Sequence, residues 1–281
     1  MDSFSKKQAE FYDQNPPLSP WPDILLKWGV ARAFRPKEYY WKEILDGFNF
    51  KPGQVFLDVG CGQGLYTARI SKTYGCRGVG LDASAKSIAY ANRHFKNKKL
   101  KFIKGEATNL PFPDNYFDQV LSFDMLEHIN KQKKGLEEMV RVLKKGGKLL
   151  IYTLNRKDKY TLDWCWNKLG FDIYSRAFHQ KSLFIDPSWV RQELRKLNLQ
   201  SQTIGYYDAF FTLALDEAIM VAVLILNKMG FGKNKITGNI FLRTTSLISK
   251  ILYPITFSLD RFWFSKGYSI GLSIVGEKYS K

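Results

Sequence analysis

Three cysteines and three histidines in 281 residues leave little room for two common ways of building a protein. Cys61, Cys76 and Cys165 are too few and too scattered for a disulfide framework or a paired CxxC metal site, which points to a reducing compartment, the cytoplasm. The stretch MDSFSKKQAEFYDQNPPL has no apolar core after its charges, so neither a signal peptide nor an N-terminal anchor is expected. No GxxxxGK phosphate loop, HExxH pair or GxSxG turn occurs. Acidic residues are scarce too: 26 Asp and Glu face 43 Lys and Arg, for a formal charge of +17. Such an excess attracts polyanions, either nucleic acid or an anionic bilayer surface. The lysines at 96–104, 131–134 and 144–148 read equally well as solvated faces that keep the chain soluble.

What is present is an alternating pattern. Residues 1–50 look like helices around a proline-rich elbow, PPLSPWP at 16–22, with helices expected at 23–33 and 37–48. From Lys51 short apolar runs recur at 55–59, 78–82, 100–105, 117–123 and 147–154, with helical stretches at 64–74, 84–95 and 131–143 between them. Strand and helix in alternation with short loops mean βαβ units, a mainly parallel sheet and helices on both faces. Ligands then collect at the carboxyl ends of the strands.

LDVGCGQG, at 57–64, sits at such an end. Gly60 permits a tight turn, Gly62 lets backbone approach a ligand, and Gly64 opens a helix whose free N–H groups face the crevice. The spacing Gly60-Cys61-Gly62-Gln63-Gly64 is not the GxGxxG of a dinucleotide site. Asp82, eighteen residues after Gly64, ends the second apolar run, where a carboxylate can accept bonds from ribose hydroxyls. Asp58 lies inside the first strand, and a buried charge there needs an ammonium group or backbone N–H groups to satisfy it.

Taken with GLDASAKSIAYAN (80–92), GEATNLPFPDNYFDQVLS (105–122) and VLKKGGKLLI (142–151), this stretch resembles the class I S-adenosylmethionine (SAM)-dependent methyltransferases, notably the ubiquinone-biosynthesis-like small-molecule group. The likeness covers about 40–155 closely and implies an α/β fold. Its core is a seven-stranded Rossmann-like sheet with helices on both faces, an N-terminal helical cap over 1–50 and a methyltransferase domain over 51–281. It implies SAM as cofactor and S-adenosylhomocysteine as product. The loop Gly60, Cys61, Gly62, Gly64 would wrap the methionyl end, Asp82 would hold the ribose, and Ala83 would lie beside the adenine. Glu106 and Ala107 would reach the adenine amino group, although many relatives carry aspartate at the first of these. Phe123 would flank the methionine portion.

FDMLEHIN, at 123–130, follows the fourth strand, on the rim where an acceptor meets the methyl group. Methyl transfer depends chiefly on alignment and removal of water, and a base is needed only when the acceptor must lose a proton. His128 could be that base, with Glu127 beside it, or could simply pack against the next helix. Some relatives place an ExxEH motif here to bind a divalent ion; Asp124, Glu127 and His128 keep that ligand chemistry with a shortened first member and need a distant fourth. His179 reads as a surface residue.

Residues 208–265 exceed what the common core needs. AIMVAVLIL has nine apolar residues where a bilayer span requires about twenty. In 239–264, Ile240, Leu247, Ile251 and Ile255 fall near one helical face with Arg243 and Lys250 off it, and Pro254 is expected to bend or end the helix. The segment 210–264 fits a monotopic contact with an anionic membrane surface, the mouth of a greasy pocket, packing on the sheet or an oligomer interface. Trp164, Trp166, Phe171, Tyr174 and Phe178, in 161–180, could line an acceptor site or serve helical packing. The expectation is methyl transfer, preferably to oxygen, on a hydrophobic or lipid-linked small molecule at the cytoplasmic membrane face. An RNA methyltransferase, favoured by charge but lacking an RNA-binding module, and a SAM-binding partner subunit without activity are the alternatives.

Overall fold

In the computed structural model the described residues are 7, 10, 13, 44, 45, 47–95, 97–171, 179–228 and 235–279. The proline elbow, the helix expected at 23–33, most of that at 37–48, and Tyr174 and Phe178 lie outside them. Seven strands form one sheet: β1 Val55–Val59, β2 Arg77–Asp82, β3 Leu100–Lys104, β4 Phe117–Phe123, β5 Leu143–Leu154, β6 Leu199–Tyr207 and β7 Gly271–Lys278. Their order is β3-β2-β1-β4-β5-β7-β6, and only β7 runs antiparallel to its neighbours. The chain winds outward from β1 in one direction to β3 and then restarts at β4 on the other side. A crevice therefore opens at the carboxyl ends of β1 and β4, where the first connections leave on opposite faces.

The strands alternate between two cores. Leu57 and Val59, Val120, Leu149 and Ile151 pack on one face, whereas Phe56, Leu121, Leu150 and Tyr152 pack on the other. Helix α3, Gln132–Val142, presses Leu136, Met139 and Val140 onto the first face. On the second, Ile70 of α1, Leu65–Tyr74, meets Phe48 and Phe50. Burial on both sides is why these strands read as apolar runs rather than alternating ones.

Local signals set the helix starts. Gly64, at φ 77°, precedes α1; Ser84 accepts from the Ser87 N–H at 3.0 Å and opens α2, Ala85–His94. Thr161 caps α4, Leu162–Lys168. Asp186 caps α5, Pro187–Lys196, with Pro187 in its first turn. Between β6 and β7 lie α6, Phe211–Lys228, and α7, Lys235–Ser265. Helix α7 continues through Pro254, contrary to the expected break. Pro254 is exposed, so water can satisfy the carbonyl that loses its N–H partner. The start of α6 is capped from α7: Asp260 accepts the N–H groups of Phe210, Phe211 and Thr212 and the Thr212 hydroxyl.

Candidate active site

The glycine loop leaves β1 at the crevice. The Gly60 and Cys61 N–H groups donate to the Leu81 carbonyl at 2.8 and 3.0 Å, which folds the loop over the end of β2. Gly60 and Gly64 are required by the protein itself. A Cβ on Gly60 would stand 2.4 Å from Met125 Cγ, and one on Gly64 would stand 2.5 Å from the Phe102 ring. A Cβ on Gly62, at φ 51°, would have nothing within 4 Å. The open approach expected at Gly62 is found there, whereas the space at Gly60 and Gly64 is filled by neighbouring side chains.

Asp82 organises the same corner. Its Oδ2 accepts the Gly62 N–H and its Oδ1 the Ser84 N–H, each at 2.8 Å. Burial raises its carboxyl pKa, and these two N–H donors oppose the rise. Each oxygen keeps a second lone pair for a ligand hydroxyl. Asp13 reaches the same corner, accepting from the Ser84 hydroxyl and from the Lys86 N–H at 3.2 Å. Ala83 lies between Asp82 and the α2 cap.

Asp58 is buried in β1 and accepts the Thr67 hydroxyl at 2.6 Å. Burial pushes its carboxyl up to about 7, against the Thr67 bond. A cation beside it favours the ionised form, so binding an ammonium ligand releases a proton when the pH is below about 7. If the methionyl ammonium of SAM binds here, affinity rises by up to about tenfold per pH unit from about pH 5 and levels off near 7. Calorimetric titration at several pH values tests this, and Asp58→Asn is expected to flatten the profile.

Glu106 pairs with Asn109 in an isolated bridge after β3, and Ala107 packs on the core beside it. At the end of β4, Phe123 is buried with its ring 6.0 Å from that of Tyr66 on α1. Asp124 follows at φ 48°, a left-handed conformation that turns the chain back along the crevice rim.

His128 and Glu127 lie in a short 3₁₀ turn, Leu126–His128. Glu127 is buried and accepts the Thr153 hydroxyl at 2.7 Å. His179, expected on the surface, instead stacks on His128 with ring centroids 4.8 Å apart. Burial and the second imidazole push His128 down to about 3, so it is neutral at physiological pH and holds a proton too weakly for a general base. Ligand atoms of Glu127, His128 and His179 lie within 4.8 Å of one another. Asp124 is not among these three, although its charge acts on His128. Two imidazoles and a carboxylate fit a divalent ion in donor type, and such an ion would lower the pKa of an acceptor hydroxyl.

On the far side of the rim, past β5 and β6, the structure gathers groups that no local pattern marks. The Tyr152 hydroxyl donates to Asp208 Oδ2 at 3.2 Å and feels the charge of Asp124. Asp208 has φ 58° directly after β6. Asp163, in the first turn of α4, is pushed up to about 7 by burial and by Glu217, Asp208 and Asp158. The Trp166 indole donates to Glu217, and the Tyr253 hydroxyl donates to Asp216. Rings adjoin these carboxylates, with Tyr160 against Trp164 and Tyr152 beside Tyr207.

The methyltransferase domain family matches residues 57–151. A demethylmenaquinone methyltransferase of Renibacterium salmoninarum is 34% identical over 54% of this chain and 60% of its own. A sterol 24-C-methyltransferase of Gibberella zeae is 34% identical over 47% and 35%. A phosphoethanolamine N-methyltransferase of Triticum aestivum is 36% identical over 39% and 22%. The chain thus spans between 22% and 60% of the length of these curated relatives. Among solved structures, phosphoethanolamine N-methyltransferase 2 of Haemonchus contortus, in complex with SAM, superposes with a TM-score of 0.59 at 20% identity, over 85% of this chain and 52% of that one. The cyclase SpnF superposes at 0.58 and 16% identity over 99% and 97%, so the fold alone does not fix the chemistry.

Sheet order, glycine loop and strand-end aspartate define a Rossmann-like fold with a crevice at its switch point. With the match of residues 57–151 to the methyltransferase domain family, this segment resembles the class I SAM-dependent methyltransferases. The sterol and demethylmenaquinone methyltransferases named above are similar to parts of this chain at comparable identity.

Proposed function

We propose that the chain binds SAM at the ends of β1 and β2 and transfers its methyl group to a hydrophobic or lipid-linked small molecule, with oxygen as acceptor atom. The observation that carries this reading is the ring-walled group of carboxylates past β5 and β6, adjoining the crevice through Asp124, Tyr152 and Asp208. A hydroxyl acceptor must lose a proton, and a carboxyl held at about 7 is suited to take it. Asp163 fills that role better than His128. The rings supply apolar contact for the rest of the acceptor.

Asp163→Asn is expected to slow methyl transfer by about a hundredfold while leaving SAM affinity unchanged. The wild-type rate should rise with pH through about 7, as Asp163 ionises, and the variant should lose that limb. An unchanged pH profile would remove Asp163 as the base. A metal-assisted version draws on Glu127, His128 and His179. It requires activity to fall on exhaustive chelation and to return with a divalent ion.

The test of the main reading is transfer of radiolabelled methyl from SAM into a cell extract, separated into organic-soluble, aqueous and RNA fractions, with Asp82→Ala as control. Label in the organic fraction that the variant abolishes supports the proposal, and product chemistry then identifies the methylated atom. A carbon or nitrogen product, as in the relatives' names, would replace the oxygen assignment. Label in RNA would replace the acceptor class. SAM binding without transfer to any fraction would support the partner-subunit reading.

A further inference from the structure

The exposed face of α7 is not explained by packing. Leu247, Ile248, Ile251, Ile255, Leu259 and Phe262 are each between 43% and 61% exposed. At 3.6 residues per turn they fall within an arc of about 120°, a continuous apolar stripe along more than four turns. The opposite side carries Tyr253 and Asp260, both buried against the domain. A stripe of this length is uncommon on a free aqueous surface.

Charge says what covers it. Helix α7 contains Lys235, Arg243, Lys250 and Arg261 against one acidic residue, Asp260, which is buried in the cap of α6. On the helical wheel Arg261, which is exposed, falls along one border of the stripe. Lys266, just past the helix, lies 4.6 Å over the Phe262 ring. A second copy of the chain would bring the same basic border, and another +17, against this one. No described helix is long and apolar enough to cross a membrane. We propose that the apolar stripe of α7 docks in the plane of an anionic lipid bilayer, with its basic border on the headgroups.

The position suits the acceptor. The end of α7 adjoins the connection after β5, where the Trp263 indole donates to the Tyr160 carbonyl at 2.8 Å. The bilayer contact therefore sits beside the ring-walled side of the crevice, and a lipid-linked molecule can enter without crossing water. In this respect the inference deepens the functional reading above.

The test is flotation of the full chain with vesicles of phosphatidylglycerol and phosphatidylcholine, against phosphatidylcholine alone. The wild type is expected to float with the anionic vesicles and to release as salt is raised. The triple variant Ile251→Gln, Ile255→Gln, Phe262→Gln should lower the partition coefficient at least about tenfold, since these side chains supply the apolar insertion. Arg261→Glu with Lys266→Glu should lower it chiefly on anionic vesicles. SAM titration of each variant serves as the control for folding. Failure of the wild type to float, or flotation that the triple variant leaves unchanged, overturns the proposal. So does a wild-type dimer in sedimentation that the triple variant dissolves while vesicles remain unbound. A chain that methylates an organic-soluble acceptor yet ignores vesicles loses this inference alone; one that floats but transfers no methyl group loses the functional reading and keeps the bilayer contact.

Discussion

Asp82→Ala is expected to lower the affinity for SAM by about a hundredfold or more. A hydrogen bond to a charged group contributes about 1.5–3 kcal/mol, and the proposed ribose contact involves two of them. The substitution also removes the acceptor that holds the Gly62 and Ser84 N–H groups, so part of the loss comes from a looser loop. Isothermal titration calorimetry measures the affinity, and a melting curve without ligand separates the two contributions. An affinity within a few-fold of wild type would move the ribose away from the end of β2 and take the cofactor placement with it.

The three glycines of the loop are expected to respond differently to the same methyl group. Gly60→Ala combines a left-handed backbone, φ 80°, with a Cβ 2.4 Å from the Met125 side chain. Together these cost about 3 kcal/mol or more, which for a chain of this size lowers the melting temperature by about 10 °C. Gly64→Ala meets Phe102 and Ala91 and should behave alike. Gly62→Ala meets nothing and carries only the left-handed penalty, about 1–2 kcal/mol. Its melting temperature should fall by a few degrees, whereas its affinity for SAM should fall by about tenfold or more, because the methyl group occupies the ligand's side of the loop. Unchanged SAM binding by a folded Gly62→Ala protein would show that the methionyl end passes elsewhere.

The contrast among these glycines marks where reading the chain from its residues succeeds and stops. GCGQG announces a tight loop, but it does not tell a glycine emptied for a ligand from one emptied for Met125, because Met125 lies sixty-five positions away. Asp163 is a stronger case. Nothing in TLDWCW distinguishes it, and its raised proton affinity comes first from burial and then from Glu217, Asp208 and Asp158, of which the first two arrive from α6 and from the end of β6. His179 was legible as a residue but not as a neighbour of His128, which the fold brings together across fifty-one positions.

The strand segments, the sheet class and the places of Gly62 and Asp82 at strand ends were legible in the residues. Each of these follows from short-range regularities: apolar runs bounded by turns, a glycine where φ is positive, and a carboxylate at the end of a strand. Tertiary structure alone decided the cap that Asp260 places on α6, the neutral state of His128, the raised proton affinity of Asp163 and the exposure of the α7 stripe. The physical reason is that desolvation and charge coupling depend on everything within several ångströms, from whichever part of the chain it comes. A helical wheel likewise gives the arc of an apolar stripe, but only packing determines whether the domain covers it or leaves it facing outward.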